Sequence, residues 1–265
     1  MLIEQIPIRN SLKNYMYLLA CEKTHEAIAI DPLDHALCLK VAKKKGWTIK
    51  TVANTHHHHD HIGGNDPVIS ATGAKLVAHI EAMNAIPNVD RGFNAGDELT
   101  CGELTLKVMD TPGHTMSHIC LYYEGSDTEM PALFCGDTLF NAGVGRCDFG
   151  GEPSILHKTF EEQIFLLSDS VRIYPGHDYI ENNLEFTLDR EPSNIRAREM
   201  LASSKNQDPN NALVTTISLE KEINTFLRLE NSDVIEQLQK SFPDLPDNPD
   251  SKTIFLKLRE LRNNW

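Results

Sequence analysis

The sequence predicts an α/β domain, with mixed sheets covered by helices, followed by a small helical domain. Short runs rich in β-branched and aromatic residues alternate with turns and helical patterns over the first two thirds of the chain. After Glu181 the sequence becomes charged and helix-forming, with almost no β-branched runs until Leu213. We therefore predict two domains, which span residues 1–180 and 181–265.

Each predicted strand is a short apolar run bounded by turn residues. The runs lie at residues 15–19, 26–30, 49–53, 75–78, 104–109, 119–123, 133–135 and 171–174. Helical periodicity fills residues 34–45 and 154–167, and Ser154 is a suitable N-terminal cap for the second of these helices. Strands that alternate with helices in this way are typical of an α/β fold.

Three helices are predicted in the C-terminal part. The first begins near Pro192 and ends before a turn at residues 208–211. The other two occupy residues 232–242 and 251–265, and the acidic, proline-punctuated segment PDLPDNPD separates them. These helices form the predicted second domain.

Composition and charge exclude several classes of protein. The chain has 265 residues, 40% of them hydrophobic, and 25 Lys+Arg against 38 Asp+Glu give a formal net charge of −13. Such an acidic chain is repelled by phosphate backbones and anionic lipid, so we expect no nucleic-acid or membrane partner. The sequence shows no signal peptide, and the six cysteines include no CxxC pair. We therefore expect a cytoplasmic protein with free thiols.

Histidines are concentrated in one segment, because five of the 12 lie between positions 56 and 61. In nearly extended backbone, alternate side chains share a side, so His56 and His58 can point together. Asp60 and His61 follow at the turn before two glycines. The segment can therefore supply two imidazoles to one metal ion and a carboxylate with an imidazole to another. A purification tag would lie at a terminus, and a solvated loop rarely has this composition.

More ligands must come from elsewhere in the chain. His114, Asp137 and His177 each follow a predicted strand, and each stands directly after a glycine. Glycine allows the backbone to approach closely, and loops at strand ends are where α/β folds build their sites. Taken singly, each could be an ordinary turn residue. Together with the histidine segment they predict a larger metal centre.

The pattern H-x-H-x-D-H, followed by Gly-His, Gly-Asp-Thr and Pro-Gly-His, resembles the metallo-β-lactamase superfamily. The resemblance implies an αβ/βα sandwich with a binuclear metal centre. It assigns His56, His58 and His114 to one metal ion, assigns Asp60, His61 and His177 to the other, and makes Asp137 the bridge.

A closer resemblance covers essentially the full chain. The segments THHHHDHIGGN, TPGHTMSHICLYY, GDTLFNAGVGR, YPGHDYIENNLEF, EPSNIRAREMLA, EINTFLR and LRELRNNW resemble the hydroxyacylglutathione hydrolases of the glyoxalase II family. That resemblance implies hydrolysis of S-D-lactoylglutathione and other 2-hydroxyacylglutathione thioesters to glutathione and a 2-hydroxy acid, in methylglyoxal detoxification. It also implies two divalent metal ions, zinc or alternatively iron or manganese, with a bridging hydroxide as nucleophile. Asp60 and Asp137 would be its catalytic ligands.

The resemblance places the glutathione contacts at Arg146, Tyr179, Arg259 and Arg262. Glutathione carries two carboxylates and one ammonium, and arginine binds carboxylates through two hydrogen bonds. Arg259 and Arg262 are three residues apart and so share one face of a helix. The alternative is a solvated helix end, where cations are favoured by the helix dipole. Because one chain supplies the whole site, we expect a monomer.

One segment departs from the family pattern. Asp148 in GRCDFGG stands where glyoxalase II enzymes usually carry an aromatic residue, and the segment resembles the persulfide dioxygenase branch instead. A glutathione persulfide dioxygenase with one iron is therefore the first alternative. A nuclease of the same superfamily is disfavoured by the negative charge, and an inactive glutathione-binding module is disfavoured by the seven ligand-type residues.

Two further residues are predicted to support the ligands. His118 lies four residues after His114, and Asp31 follows a predicted strand. A metal-ligating histidine usually donates its other N–H to a neighbouring acceptor, so we expect these residues to orient the ligands. Each could also be an ordinary polar residue at a strand end. His57, His59 and the remaining histidines are expected to be structural or exposed.

Overall fold

The structure is a computed structural model that describes residues 1–205 and 212–265. The strands are β1 Leu2–Pro7, β2 Tyr15–Ala20, β3 Glu26–Ile30, β4 Thr48–Ala53, β5 Lys75–His79, β6 Arg91–Phe93, β7 Glu98–Cys101, β8 Leu104–Asp110, β9 Ile119–Tyr123, β10 Ala132–Gly136, β11 Leu139–Phe140, β12 Gly143–Val144, β13 Arg172–Pro175 and β14 Thr215–Thr216. The turn predicted at residues 208–211 lies outside the described residues.

The helices are α1 His35–Lys45, α2 His59–Ile62, α3 Asn65–Thr72, α4 Pro153–Glu162, α5 Ile180–Arg190, α6 Ile195–Ser204, α7 Ile217–Ile223, α8 Ser232–Ser241 and α9 Ser251–Asn263. Short 3₁₀ turns lie at Ile80–Asn84, Ile164–Leu166 and Thr225–Leu227. Within the described ranges, no helix combines the length and the apolar character that crossing a membrane requires.

Two six-stranded sheets form the centre of the molecule. The first has the order β1-β2-β3-β4-β5-β6, and the second has the order β14-β13-β10-β9-β8-β7. In the first sheet β1, β2 and β3 pair antiparallel, whereas β3 to β6 pair parallel. Strand β10 pairs antiparallel with β9 and parallel with β13. Both sheets are therefore mixed, as the sequence predicts.

The side-chain alternation along β2 shows why the sheets pack face to face. Tyr17 and Leu19 enter the core between the two sheets, whereas Leu18 and Ala20 enter the core on the outer face. Successive side chains of a strand point to opposite faces, so a strand that is apolar at every position is covered on both sides. All six residues of β2 are buried.

Helices cover the outer face of each sheet. The outer core of the first sheet includes Cys38 and Ala42 of α1 and Val68 of α3. The outer core of the second sheet includes Phe160 of α4 and Phe255 of α9. The layers therefore run helix, sheet, sheet, helix, and the predicted αβ/βα sandwich is confirmed.

The C-terminal helices share a core with the second sheet. Phe255 of α9 contacts the ring of Phe160 in α4 at a centroid distance of 5.5 Å, and Phe226 lies 5.2 Å from the same Phe255 ring. Helix α5 begins at Ile180, the last residue before the predicted second domain. One continuous apolar cluster therefore joins the two predicted domains.

Some predicted element boundaries are wrong. Helix α4 begins at Pro153 and is capped by Glu152 rather than by Ser154, because proline is well suited to the first helical position. The helix predicted from near Pro192 begins at Ile195, where the side chain of Asn194 caps it. The prediction omits six strands and four helices of the described structure, namely β1, β6, β7, β11, β12, β14, α2, α3, α5 and α7.

Gly64 tests how tightly the histidine segment is packed. A Cβ added to Gly64 would lie 1.7 Å from the backbone oxygen of Pro32, whereas one added to Gly73 would meet nothing within 4 Å. We expect Gly64→Ala to lower the free energy of unfolding by about 3 kcal/mol through overpacking. Gly73→Ala, at a φ of +69°, should cost only about 1 kcal/mol. Urea unfolding measures both, and equal losses would contradict the steric argument.

Candidate metal centre and substrate cavity

Loops at the ends of four strands bring the predicted ligands together. His56 and His58 follow β4, His114 follows β8, Asp137 follows β10 and His177 follows β13. Strand β4 belongs to the first sheet and the others belong to the second. The predicted ligands therefore meet beyond the C-terminal ends of strands from both sheets.

The histidine segment differs in one respect from the extended backbone that we predicted. His58 is extended, with a φ of −65° and a ψ of 144°, but it caps a short helix that begins at His59. Asp60 and His61 therefore lie on a helical turn rather than on a turn at the two glycines. His59 is exposed at the rim of the cavity described below.

The first three ligand-type side chains converge through their ring nitrogens. His56 Nε2 lies 3.0 Å from His58 Nδ1, and His114 Nε2 lies 3.1 Å from the same His58 atom. Three acceptor nitrogens this close together form one face of a tetrahedral zinc-type site. These are the residues that the resemblance assigns to one metal ion.

The second group combines a carboxylate with two imidazoles. His61 Nε2 lies 3.2 Å from His177 Nε2, and Asp60 Oδ2 lies 3.5 Å from the same His177 nitrogen. The ligand atoms of each group of three lie within 4.8 Å of one another. Nitrogen and carboxylate oxygen donors suit zinc, iron and manganese.

Asp137 lies between the two groups. Its Oδ2 is 3.5 Å from His114 Nε2 and 3.2 Å from His177 Nε2, so one carboxylate faces both. Its Oδ1 is buried and accepts no hydrogen bond in the described structure. Burial alone would raise the pKa of Asp137, but His177 and His61 hold it well below its usual range. An ionised, buried and unsatisfied carboxylate oxygen is suited to binding a cation.

Each of the five predicted imidazole ligands is oriented through its other ring nitrogen. His61 Nδ1 bonds Asp31 Oδ2 at 2.9 Å, and His56 Nδ1 bonds Thr55 Oγ1 at 3.0 Å. The other three imidazoles donate to backbone carbonyls: His58 to that of Phe149, His114 to that of Arg146 and His177 to that of Leu12. Such hydrogen bonds leave the lone pair of the inward nitrogen free for a metal ion.

The two predicted supporting residues have different positions. Asp31 bonds His61 and also accepts hydrogen bonds from Thr55 N at 2.8 Å and Thr55 Oγ1 at 2.7 Å. His118 accepts the backbone N–H of Asp137 at 3.2 Å. It therefore supports the Asp137 loop, whereas we expected it to bond a ligating imidazole.

The sequence analysis missed Asn14, which orients Asp60. Asn14 Nδ2 donates to Asp60 Oδ2 at 3.0 Å and to the Asp60 carbonyl at 3.1 Å. Burial raises the pKa of Asp60, but His61 and Asn14 outweigh it and lower the pKa. An asparagine 46 residues away in the chain carries no local signal for this role. The backbone carbonyls of Leu12 and Phe149 carry none either.

A cavity of about 600 Å³ connects this cluster to the C-terminal helix. Its lining includes His58, Asp60, His114, Asp137 and His177 on one side. The four residues predicted to contact glutathione line it as well, namely Arg146, Tyr179, Arg259 and Arg262. The described structure therefore places the ligand-type residues and three arginines around one space.

Arg259 and Arg262 differ in their hydrogen-bond partners within the cavity. Arg259 is 4% exposed, and its Nη1 donates to the carbonyls of Val144 at 2.8 Å and Gly145 at 3.1 Å. Arg262 donates to Asn183 Oδ1 at 3.1 Å and lies 5.5 Å from the Trp265 ring centroid. Burial lowers the pKa of Arg259 to about 10, so its guanidinium stays charged at pH 7.

Asp148, the departure from the family pattern, lies beside two residues that line this cavity. It pairs with Arg146 and accepts a hydrogen bond from Asn263 at 3.1 Å. Tyr179, which also lines the cavity, stacks on His177 with ring centroids 4.9 Å apart and an interplanar angle of 6°. One of the three guanidinium groups, that of Arg146, is therefore paired with a carboxylate.

Comparison with known proteins agrees with this fold and cluster. Residues 22–177 match the family model of the metallo-β-lactamase superfamily. The structure of ETHE1 from Myxococcus xanthus superposes with a TM-score of 0.67 at 27% sequence identity, covering 99% of this chain and 98% of that one. The chain belongs to the metallo-β-lactamase superfamily, and with its His and Asp cluster it is a divalent-metal-binding protein.

The C-terminal part of the chain shows which family of the superfamily the chain belongs to. Residues 178–265 match the family model of the hydroxyacylglutathione hydrolase C-terminus. Hydroxyacylglutathione hydrolases of Nitrosococcus oceani and of a Polaromonas species are 57% and 56% identical to this chain, each over 100% of both sequences. Within the superfamily, the chain belongs to the hydroxyacylglutathione hydrolase family.

Asp137 provides the sharpest test of the cluster. Asp137→Ala removes the carboxylate that faces both groups of ligands, so we expect metal content and turnover to fall together. Metal analysis of the purified variant by mass spectrometry, with circular dichroism to show that it folds, measures this. Asp137→Asn is the matched variant, since it keeps the shape but loses the charge, and should retain less metal than the wild type. Normal metal content in both variants would contradict a bridging role.

Proposed function

We propose that this chain hydrolyses S-D-lactoylglutathione and related 2-hydroxyacylglutathione thioesters to glutathione and a 2-hydroxy acid. The observation that carries the proposal is the single cavity in which the ligand cluster and three arginines meet. The names of the two full-length relatives and the C-terminal family match support the same reaction. Methylglyoxal detoxification is the corresponding role in the cell.

The site is proposed to hold two divalent metal ions, zinc or alternatively iron or manganese. His56, His58 and His114 would bind one, Asp60, His61 and His177 would bind the other, and Asp137 would bridge them. The unsatisfied Oδ1 of Asp137 fits this assignment. When bound, the metal ions would supply Lewis-acid activation of water and of the thioester carbonyl.

The protein's own residues position the substrate. Glutathione carries carboxylates, and Arg146, Arg259 and Arg262 give the far end of the cavity a positive charge. Tyr179 forms the wall between those arginines and His177. Asp60, whose Oδ2 is fixed by Asn14, can accept a hydrogen bond from the attacking water. Because a thiolate leaves readily at neutral pH, no general acid is needed.

The alternative is a glutathione persulfide dioxygenase with a single iron. Asp148 favours it, because its carboxylate stands where a hydroxyacylglutathione hydrolase usually has an aromatic contact to glutathione. The match of residues 178–265 to the hydroxyacylglutathione hydrolase C-terminus supports the thioester hydrolase instead.

A paired assay separates the two functions. The purified protein is analysed for metal content and is tested for thiol release from S-D-lactoylglutathione and for oxygen uptake with glutathione persulfide. We expect two metal ions per chain, thioester cleavage and no oxygen uptake. One iron per chain, oxygen uptake and intact thioester would overturn the proposal.

Arg262 tests the substrate end of the cavity. Arg262→Ala should raise KM about tenfold and leave kcat within about twofold, since it removes binding remote from the reacting atoms. Lys252→Ala is the matched control, because Lys252 is an exposed cation of the same helix outside the cavity lining. Arg259 is less suitable, since its removal also frees two backbone carbonyls. An unchanged KM in Arg262→Ala would exclude this end of the helix from the site.

We further propose that the protein works as a cytoplasmic monomer with no nucleic-acid partner. Residues of one chain supply both the ligand-type side chains and the arginines of the cavity, so the proposed site does not require a second subunit. The six cysteines are buried free thiols, a state that suits a reducing compartment. The net charge of −13 disfavours binding to nucleic acid.

A further inference from the structure

The short hairpin of β11 and β12 is bonded along its backbone by side chains of the C-terminal helices. Asn183 Nδ2 donates to the Asn141 carbonyl at 2.9 Å, and Glu220 Oε2 accepts the Ala142 N–H at 2.8 Å. Asn224 Nδ2 donates to the Gly143 carbonyl at 3.1 Å, and Arg259 bonds the next two carbonyls. We call these four side chains, Asn183, Glu220, Asn224 and Arg259, the hairpin clamp.

The turn of this hairpin needs such support. Ala142 has a φ of +58°, a left-handed conformation that costs a residue with a Cβ about 1 kcal/mol. Ala142 is also 1% exposed, so its N–H cannot bond water in place of a protein acceptor. The Glu220 carboxylate is the acceptor that satisfies it.

Burial of the Glu220 carboxylate is energetically unfavourable. Glu220 is 0% exposed, and its carboxylate accepts hydrogen bonds from Thr215 Oγ1 at 2.6 Å, Ala142 N at 2.8 Å and Asn224 Nδ2 at 3.0 Å. Within the described residues its hydrogen-bond donors are all neutral groups. Burial raises the pKa of Glu220 to about 7, against the lowering effect of Thr215 and Asn224. Three neutral donors thus converge on one carboxylate that no cation contacts in the part of the chain that the structure describes.

The hairpin carries part of the substrate cavity. Phe140, Val144 and Arg146 lie on or directly after it and line the cavity. The Phe140 ring meets His177 and Tyr179 edge-on, at centroid distances of 5.9 Å and 5.3 Å. A shift of the hairpin would therefore move part of the cavity wall.

We propose that Glu220 is a positioning residue that fixes the β11–β12 hairpin and thereby sets the shape of the substrate end of the cavity. It touches neither the substrate nor the ligand cluster, and it acts through the Ala142 backbone. The inference about binding rests on the proposed thioester hydrolysis. The inference that Glu220 fixes the hairpin does not rest on that function, because hydrogen exchange of the hairpin backbone is measured without substrate.

Three variants distinguish positioning from a merely structural role. Glu220→Ala removes the acceptor of the Ala142 N–H. Glu220→Gln keeps an oxygen for Ala142 and Asn224, and its amide can donate to the Thr215 hydroxyl. Thr187→Val is the matched control, since it removes a fully buried hydrogen bond, from Thr187 Oγ1 to the Ile223 carbonyl at 2.9 Å, that does not touch the hairpin.

Two measurements are made on each full-length, metal-loaded variant: hydrogen exchange of residues 139–146, and KM and kcat for S-D-lactoylglutathione. In Glu220→Ala we expect exchange of the Ala142 amide to accelerate at least about tenfold and KM to rise about tenfold, with kcat within about twofold. Glu220→Gln should stay within about threefold of the wild type on both measurements. Thr187→Val should lose stability while KM and hairpin exchange stay unchanged.

Glu220→Ala with wild-type exchange and KM would overturn the proposal, as would Thr187→Val with an equal rise in KM. If Glu220→Ala does not fold, Asn224→Ala takes its place, since it removes the donors to the Gly143 carbonyl and to Glu220. Faster hairpin exchange and a higher KM are again expected, and unchanged values would refute positioning. If the wild type cleaves no thioester while Glu220→Ala alone accelerates exchange, the proposed function fails and the positioning role stands.

Discussion

The close packing of seven imidazole and carboxylate side chains in a largely buried pocket is the constraint on which the rest of the structure depends. Ring nitrogens of His56 and His114 lie 3.0 and 3.1 Å from Nδ1 of His58, and the Asp137 carboxylate faces both groups of predicted ligands. Burial lowers the pKa of His114 to about 4, so its ring is neutral and can bind metal. Lone pairs held this close repel one another unless a cation lies between them.

The surrounding fold fixes those side chains largely through backbone. The carbonyls of Leu12, Arg146 and Phe149 each accept a hydrogen bond from an imidazole of the cluster. The same three residues are among those that line the cavity. A movement of these loops would therefore reach the ligand-type histidines through a single hydrogen bond.

The C-terminal helices are part of this site rather than an attachment to it. Helix α9 contributes Phe255 to the core of the second sheet and Arg259 to the cavity lining, so one helix belongs to both the core and the cavity. The hairpin clamp adds polar contacts to that shared apolar core. The two predicted domains are therefore coupled through both kinds of interaction, which suits a cavity whose walls come from each.

Local patterns in the sequence determined the fold class, most strands and the candidate ligands. The alternation of β2 side chains between two cores follows from the period of two along a strand. The motif H-x-H-x-D-H places four candidate ligands within six residues. Short strands such as β11 and β12 escaped prediction, because two residues carry no period. Asn14 and Glu220 escaped it because their partners, Asp60 and Ala142, lie 46 and 78 residues away. The sequence by itself thus determined the fold class and predicts which side chains are candidates for binding metal ions and carboxylate groups. Only the tertiary structure decided which backbone and buried polar groups orient them, because those contacts form when distant segments pack together.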